Sequence, residues 1–255
     1  MTFDALATTY DDDFTHSPIA QYLRRRVHSR LDRHFQRYDN ILELGCGTGE
    51  DALHLAERGM HVTATDASPS MLEIAAHKTA HTQRVTTRQL DLDQLPSVTP
   101  VYDGVFSNFG AINVLPKWRP LAKWMKDRVK PGGIVAFGVM SRVCLWEIAW
   151  HSAHGDFKTA FRRSRGTAAF RPTVTATPIP IYYPTIQQLD EAFAPHFSRI
   201  HVEPLGFFLP PSDAYGVIEK RPQILAKLLA LEAKFGRSPL FANFADHYWI
   251  EYKHQ

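Results

Sequence analysis

Residues 41–50 read ILELGCGTGE, and no other stretch limits the fold so much. An apolar run carries one acid, Glu43, and ends in glycines at 45, 47 and 49. A buried strand that passes through a glycine turn into a helix is the ligand-binding unit of an open parallel sheet. Its ligand lies beyond the carboxyl end of the strand. Gly45, Gly47 and Gly49 permit positive φ and close approach of a ligand to the backbone. A dinucleotide site asks for G-x-G-x-x-G, and counted from Gly45 the sixth position here is Glu50. Glu50 and Asp51 stabilise the positive end of the helix themselves. They would oppose a pyrophosphate, since like charges ~4 Å apart cost about 1 kcal/mol even in water. Glu43, two residues before the first glycine, suits a ligand with positive charge. A cofactor with ammonium, sulfonium, ribose and adenine but no phosphate fits these charges, and S-adenosylmethionine (SAM) is such a molecule.

The rest of the chain supplies the rhythm of a doubly wound sheet. Residues 17–37 read as a helix with Ser17 as cap, Pro18 at its first position and Ile19, Leu23, Val27, Leu31 and Phe35 on one stripe. Its arginines (24, 25, 26, 30, 33, 37) read as a solvated face or, alternatively, as a contact surface for an anionic substrate or partner. Strands follow at NILEL, HVTATD, RVTTRQLDL, VYDGVFSNF and GIVAFGVM. Helices lie between them near 50–58, at SPSMLEIAAHKTA and over 116–130, the last closed by KPGG. This alternation implies parallel βαβ units. After Met140 the rhythm breaks. A helix from Leu145 to Phe161, the extended piece RPTVTATPIPIYYP, a helix at TIQQLDEAF, a strand at SRIHVEPLGFFLPP, a helix near 221–235 and a last strand DHYWIEYKH complete the chain. The two late strands suit an antiparallel pair at the sheet edge.

The expected organisation is one domain over 1–255. A lid and helix occupy 1–38, a cofactor-binding core 39–141, a cap insertion 142–184 and the second half of the sheet 185–255, with a small insertion at 211–243. Asp66 ends the second strand, where a carboxylate can take both ribose hydroxyls, with Ala67 beside it. Asp91 and the Leu92 backbone are placed to read adenine. Met71 is placed to pack on the ring, although ordinary core packing explains it equally. Asn108 and Phe109 end the fourth strand beside the methionine end. Cys46 lies within the glycine turn.

ELGCGTG at 43–49, TDAS at 65–68, LDLDQLP at 90–96, YDGVFSNFGA at 102–111 and KPGG at 130–133 resemble the ordered motifs of class I SAM-dependent methyltransferases. They are most similar to the small-molecule group that includes ubiquinone/menaquinone-biosynthesis-type enzymes. FDALATTYDDDF resembles that group's N-terminal segment. The resemblance covers residues 3 to about 140. It implies a mostly parallel, seven-stranded Rossmann-like α/β sheet with the last strand inserted antiparallel. It also implies a cofactor site lined by Glu43, Gly45, Gly47, Asp66, Asp91, Asn108 and Tyr10, the last closing over the ligand.

Methyl transfer from a sulfonium needs orientation and exclusion of water more than a catalytic triad. If the acceptor must lose a proton, His16, Tyr10, His151 and His154 are the candidate bases. A metal at His151, His154 and Asp156 is not expected, since no further ligand is evident. The cap places Trp146, Trp150, Phe157, Phe161, Phe170, Tyr182 and Tyr183, with Arg171, as a candidate acceptor wall, for which cap core is the plainer reading. Arg162, Arg163, Arg165 and Arg171 suit an acidic acceptor or mere solubility.

The net charge of +3 is too small to imply nucleic-acid binding. SNFG stands where amino-group nucleic-acid methyltransferases carry NPPY-like residues. The expected acceptor is a small aromatic or lipid-like molecule. The alternatives are a nucleic-acid methyltransferase, a SAM-binding protein without turnover and an NAD-linked oxidoreductase. Two cysteines, an acidic N-terminus and no long apolar run lead to the expectation of a cytoplasmic protein of unknown oligomeric state.

Overall fold

The computed structural model describes residues 3–97, 100–171 and 177–255. Seven strands form one sheet: β1 (Asn40–Leu44), β2 (His61–Asp66), β3 (Val85–Gln89), β4 (Tyr102–Ser107), β5 (Val129–Met140), β8 (Phe197–Leu205) and β9 (His247–His254). Their order is β3-β2-β1-β4-β5-β9-β8, parallel from β3 to β5, with β9 antiparallel to both its neighbours. The order reverses between β1 and β4, the switch point at which such sheets open a crevice. β6 (Thr167–Phe170) and β7 (Ile179–Tyr182) pair as a separate antiparallel ribbon.

Alternation along the strands explains the layers. Leu42 and Leu44 of β1 and Tyr248, Ile250 and Tyr252 of β9 face a core shared with α4 (Arg119–Lys126) and α7 (Ile186–Phe193). Ile41 and Trp249 face the opposite core, with α1 (Pro18–His34), α2 (Glu50–Glu57) and α3 (Pro69–Lys78). The α1 stripe Ile19, Leu23, Val27, Leu31 is fully buried. Ser17 caps α1 and Ser68 caps α3, each followed by proline.

Three expectations are corrected. Arg24 and Arg26 are buried rather than solvated, and Arg30 forks onto Glu251 at 2.7 and 2.5 Å. The cause is that the surfaces facing α1 carry buried acids which need cations: Asp51 for Arg24, Glu203 and Glu232 for Arg26, and Glu251 for Arg30. The helix expected over 145–161 is two, α5 (Leu145–Ala153) and α6 (Phe157–Ala160). Between them Gly155 has φ +77° and Asp156 caps the second. KPGG does not close a helix: it lies inside β5.

The insertion between β8 and β9 holds α8 (Tyr215–Glu219) and α9 (Pro222–Phe235). Among the described residues no helix is long and apolar enough to cross a membrane.

Candidate functional site

A cavity of about 370 Å³ opens at the carboxyl ends of β1, β2 and β4. Gly45, Gly47, Asp66, Ala67, Met71, Asp91, Leu92, Asn108, Phe109 and Tyr10 all line it. Gly45 has φ +71°, and a Cβ there would collide with the Ala111 side chain, so the turn can pass so closely only with glycine. Asp66 is held in place by two backbone donors: Gly47 N–H at 3.0 Å and Ser68 N–H at 2.9 Å. Burial pushes its pKa up against those hydrogen bonds. Each carboxylate oxygen keeps acceptor capacity beyond its single backbone donor.

Three of the expected cofactor residues stand behind the wall. Glu43 is buried under the turn and its Oε2 has no hydrogen-bond partner. Burial raises its pKa, as does the charge of Asp51, while Arg24 works the other way. Gly49 begins α2 with φ +82°, packed on Ala75. Cys46 lines a small polar recess of about 30 Å³ with Arg24, Asp51 and Asn108, beside the main cavity.

That recess holds a network the sequence does not announce. Asp51 is paired with Arg24 at 2.8 Å, His28 at 2.7 Å and Asn108 Nδ2 at 2.9 Å. Burial opposes its charge, but these partners outweigh it and hold the carboxyl well below the usual range. Glu50 pairs with Lys78 at 3.1 Å. The two acids are therefore matched by cations, and their repulsion of a phosphate is weaker than the sequence suggests. The mouth of α2 is closed in another way. The Asp11 carboxylate lies there, 2.6 Å from Thr48 Oγ1 and 2.8 Å from Lys78 Nζ.

Residues 3–16 run over the cavity as a strap. Asp4 accepts from Ser68 Oγ and the Ser70 N–H, and Phe3 and Tyr10 line the opening. Burial pushes the Tyr10 phenol up to about 12, so it is neutral at pH 7 and is a poor base. His16 points away: its side chain is 63% exposed, beside Asp12. His151 lies 3.5 Å from Asp213 and does not line the cavity. Among the described residues no group of three or more potential ligands could hold a metal.

The expected acceptor wall is displaced. Trp146 donates to the Phe208 carbonyl and stacks near Trp150. Tyr183 is buried under Arg163, and Phe170 stacks on Phe3 at 5.8 Å. Arg171 is likewise absent from the cavity lining. Arg162 and Arg163 are engaged by Glu147, and Arg163 also by Asp246, so neither awaits an anionic acceptor. The wall is made instead by Ile179, Pro180 and Tyr182 of β7, with Val114 and Pro116. Tyr182 is the one member of the expected aromatic set that lines the cavity; nothing in the sequence marks the other four. Part of the extended piece, residues 172–176, lies outside the described residues.

The sheet order, the glycine turn, the strand-end acid and the cavity over the switch point define one class. That class is the fold of the class I SAM-dependent methyltransferases, and residues 41–133 match the family described as "Methyltransferase domain". It is similar to the putative methyltransferase YqeM of Bacillus subtilis, 30% identical over 159 residues, 61% of this chain and 62% of that protein. It is also similar to a demethylmenaquinone methyltransferase of Clavibacter sepedonicus, 31% identical over 51% of this chain and 53% of that one. The chain thus spans about half to three-fifths of the length of these curated relatives. A putative S-adenosylmethionine-dependent methyltransferase from Listeria monocytogenes shares the fold with a TM-score of 0.63. It is 17% identical, covering 89% of this chain and 96% of that one.

Proposed function

We propose that this protein transfers a methyl group from SAM to a small, apolar acceptor of aromatic or lipid-like character. The observation that carries the reading is a cavity whose lining joins two kinds of residue: Asp66, Asp91 and the glycine turn, and the uncharged Ile179, Pro180, Val114 and Tyr182.

The residues present fit the cofactor. Asp66, oriented by two backbone donors, is placed to accept from the ribose hydroxyls. Met71 and Leu92 offer apolar surface for adenine, and Asp91 an acceptor for its amino group. Glu43 is buried under the turn with one unpartnered oxygen, where burial works against its charge, so its contribution there is a polar group and not a fixed negative charge. Bound SAM supplies an activated methyl group, displaced in line from the sulfonium. The chain's own work is to bind, orient and exclude water, which removes most of the entropic part of such a barrier. Tyr10 and the strap close the cavity from above. The β7 wall, with no charged side chain, favours an acceptor that leaves water readily.

The demethylmenaquinone methyltransferase among the relatives supports a lipid-like acceptor. SNFG after β4 disfavours amino methylation of a nucleobase. The test is radiolabelled methyl transfer from SAM to a panel of phenols, quinols and acyl acids, beside calorimetry with S-adenosylhomocysteine (SAH) and NAD. Label in a quinol or phenol and heat with SAH alone are expected. Binding of NAD but not SAH would overturn the cofactor assignment, and label only in nucleic acid would overturn the acceptor class.

A further inference from the structure

The insertion between β8 and β9 carries a surface that the methyl-transfer reading does not use. On α9, Leu225, Leu228 and Leu229 pack inward and Glu232 is buried. A second apolar row faces water: Ile224 is 44% exposed, Leu231 40% and Phe235 46%. They stand at i, i+7 and i+11, one line along a helix. Lys227 and Lys234 flank that line. Leu240, five residues past the helix, is 80% exposed.

The charges of this segment are one-sided. Lys220, Arg221, Lys227, Lys234 and Arg237 are all exposed and take no ion-pair partner among the described residues. The acids nearby are all turned inward or engaged. Glu219 accepts from Ser17 and the Ile19 N–H, and Glu232 from Arg26 and the N–H groups of Gly206 and Phe208. Asp213 pairs with Arg162 and His151, and Asp246 with Arg163 and His247. What remains outward between 215 and 245 is a row of large apolar side chains edged by unpaired cations.

We propose that α9 and the loop after it seat this protein on an anionic lipid surface. Apolar side chains enter the headgroup boundary while flanking lysines meet lipid phosphates. A second copy of the chain fits worse, because a twofold contact would oppose the same unpaired cations. The location agrees. Glu232 binds Gly206 and Phe208, just past the end of β8, and Leu205 and Met140 both pair with His247 at the carboxyl end of the sheet. The second half of α9 therefore stands at the same end of the sheet as the cavity. A lipid-borne acceptor would be met where the protein docks, and in this respect the inference extends the lipid-like reading of the acceptor.

Co-sedimentation of the full chain with vesicles of phosphatidylcholine, with and without phosphatidylglycerol, tests it without any acceptor. The chain is expected to sediment only with phosphatidylglycerol vesicles, and less so as salt is added. Reversing Lys227→Glu and Lys234→Glu together should lower the partition coefficient at least about tenfold. Ile224→Ser, Leu231→Ser and Phe235→Ser together should lower it about tenfold. Both variants should keep wild-type SAH affinity and thermal midpoint. If the triple variant misfolds, Lys234→Glu alone must still weaken binding several-fold. Equal sedimentation with neutral vesicles, none with either, or a dimer that the serine variant dissolves would overturn the proposal. Loss of SAH binding by the wild type would instead remove the methyltransferase reading and leave the vesicle result standing.

Discussion

In the proposed reading, cofactor binding turns on Asp66. Its carboxylate is fixed by Gly47 and Ser68, so its unused acceptor capacity is aimed before any ligand arrives. Hydrogen bonds to a charged group contribute about 1.5–3 kcal/mol each, so losing two should weaken SAH on the order of 100-fold. Calorimetry of Asp66→Ala measures this directly; unchanged affinity would remove the ribose assignment. Gly49 makes a different demand. Its φ is +82°, and a Cβ would stand 2.8 Å from the Ala75 Cβ and 3.1 Å from its Cα. Gly49→Ala should therefore cost about 2 kcal/mol or more, read as a lower urea midpoint. Both residues are legible in the sequence because strand end and glycine turn are local patterns. The Arg24–Asp51–His28 cluster is not, because its members meet only when α1 crosses α2.

At the scale of the element, the last strand carries the clearest pH dependence. Glu251 of β9 is buried on the α1 side, where Arg30, His34 and Trp249 all donate to it. Burial opposes its charge, but these donors prevail and bring its pKa from 4.5 to about 2. A carboxylate held below its unfolded pKa stabilises the fold fully above pH 4.5 and loses that contribution as pH falls through about 2. The linked contribution is about 3 kcal/mol at neutral pH. Urea titrations of the wild type and Glu251→Gln should thus differ most at pH 7 and converge toward pH 2; a gap independent of pH would refute the assignment. The same strand shows why α1 was misread. Periodicity reports which residues of a helix are apolar, but not that the facing sheet carries acids. Arginines placed to reach Glu203 and Glu251 look like a solvated face until the partner surface is known.

At the scale of the molecule, the sheet order and the antiparallel final strand follow from strand–helix alternation and from the resemblance of five ordered motifs. The acceptor wall does not. Of the cap's aromatic residues Trp146 and Tyr183 are engaged within the fold and Tyr182 lines the cavity, on a short ribbon whose other contributions, Ile179 and Pro180, carry no motif. The strap over the cavity is likewise a tertiary fact, and it has a kinetic consequence. It is latched on α3 by Asp4 and on the mouth of α2 by Asp11, which lies 2.6 Å from Thr48 and 2.8 Å from Lys78. If the strap gates the cavity, a ligand below Tyr10 leaves as this latch opens. Burial opposes the Asp11 charge, but Lys78 and Thr48 hold its pKa below the usual carboxylate value. The latch is therefore fully formed above pH ~4, the ordinary value for Asp, and weakens as pH falls below it. The Asp11–Lys78 pair is partly exposed, so the pair itself contributes little, about 1 kcal/mol or less. The Thr48 hydrogen bond to a charged group adds ~1.5 kcal/mol or more. Asp11→Ala should then speed SAH release roughly tenfold at pH 7 and speed association as well, since the same latch opens for both, with a modest fall in thermal midpoint. Stopped-flow displacement of SAH gives that rate. An unchanged release rate would mean that the strap does not gate the cavity, and a faster release that Thr48→Val largely reproduces and Lys78→Met reproduces less would locate the latch in this contact.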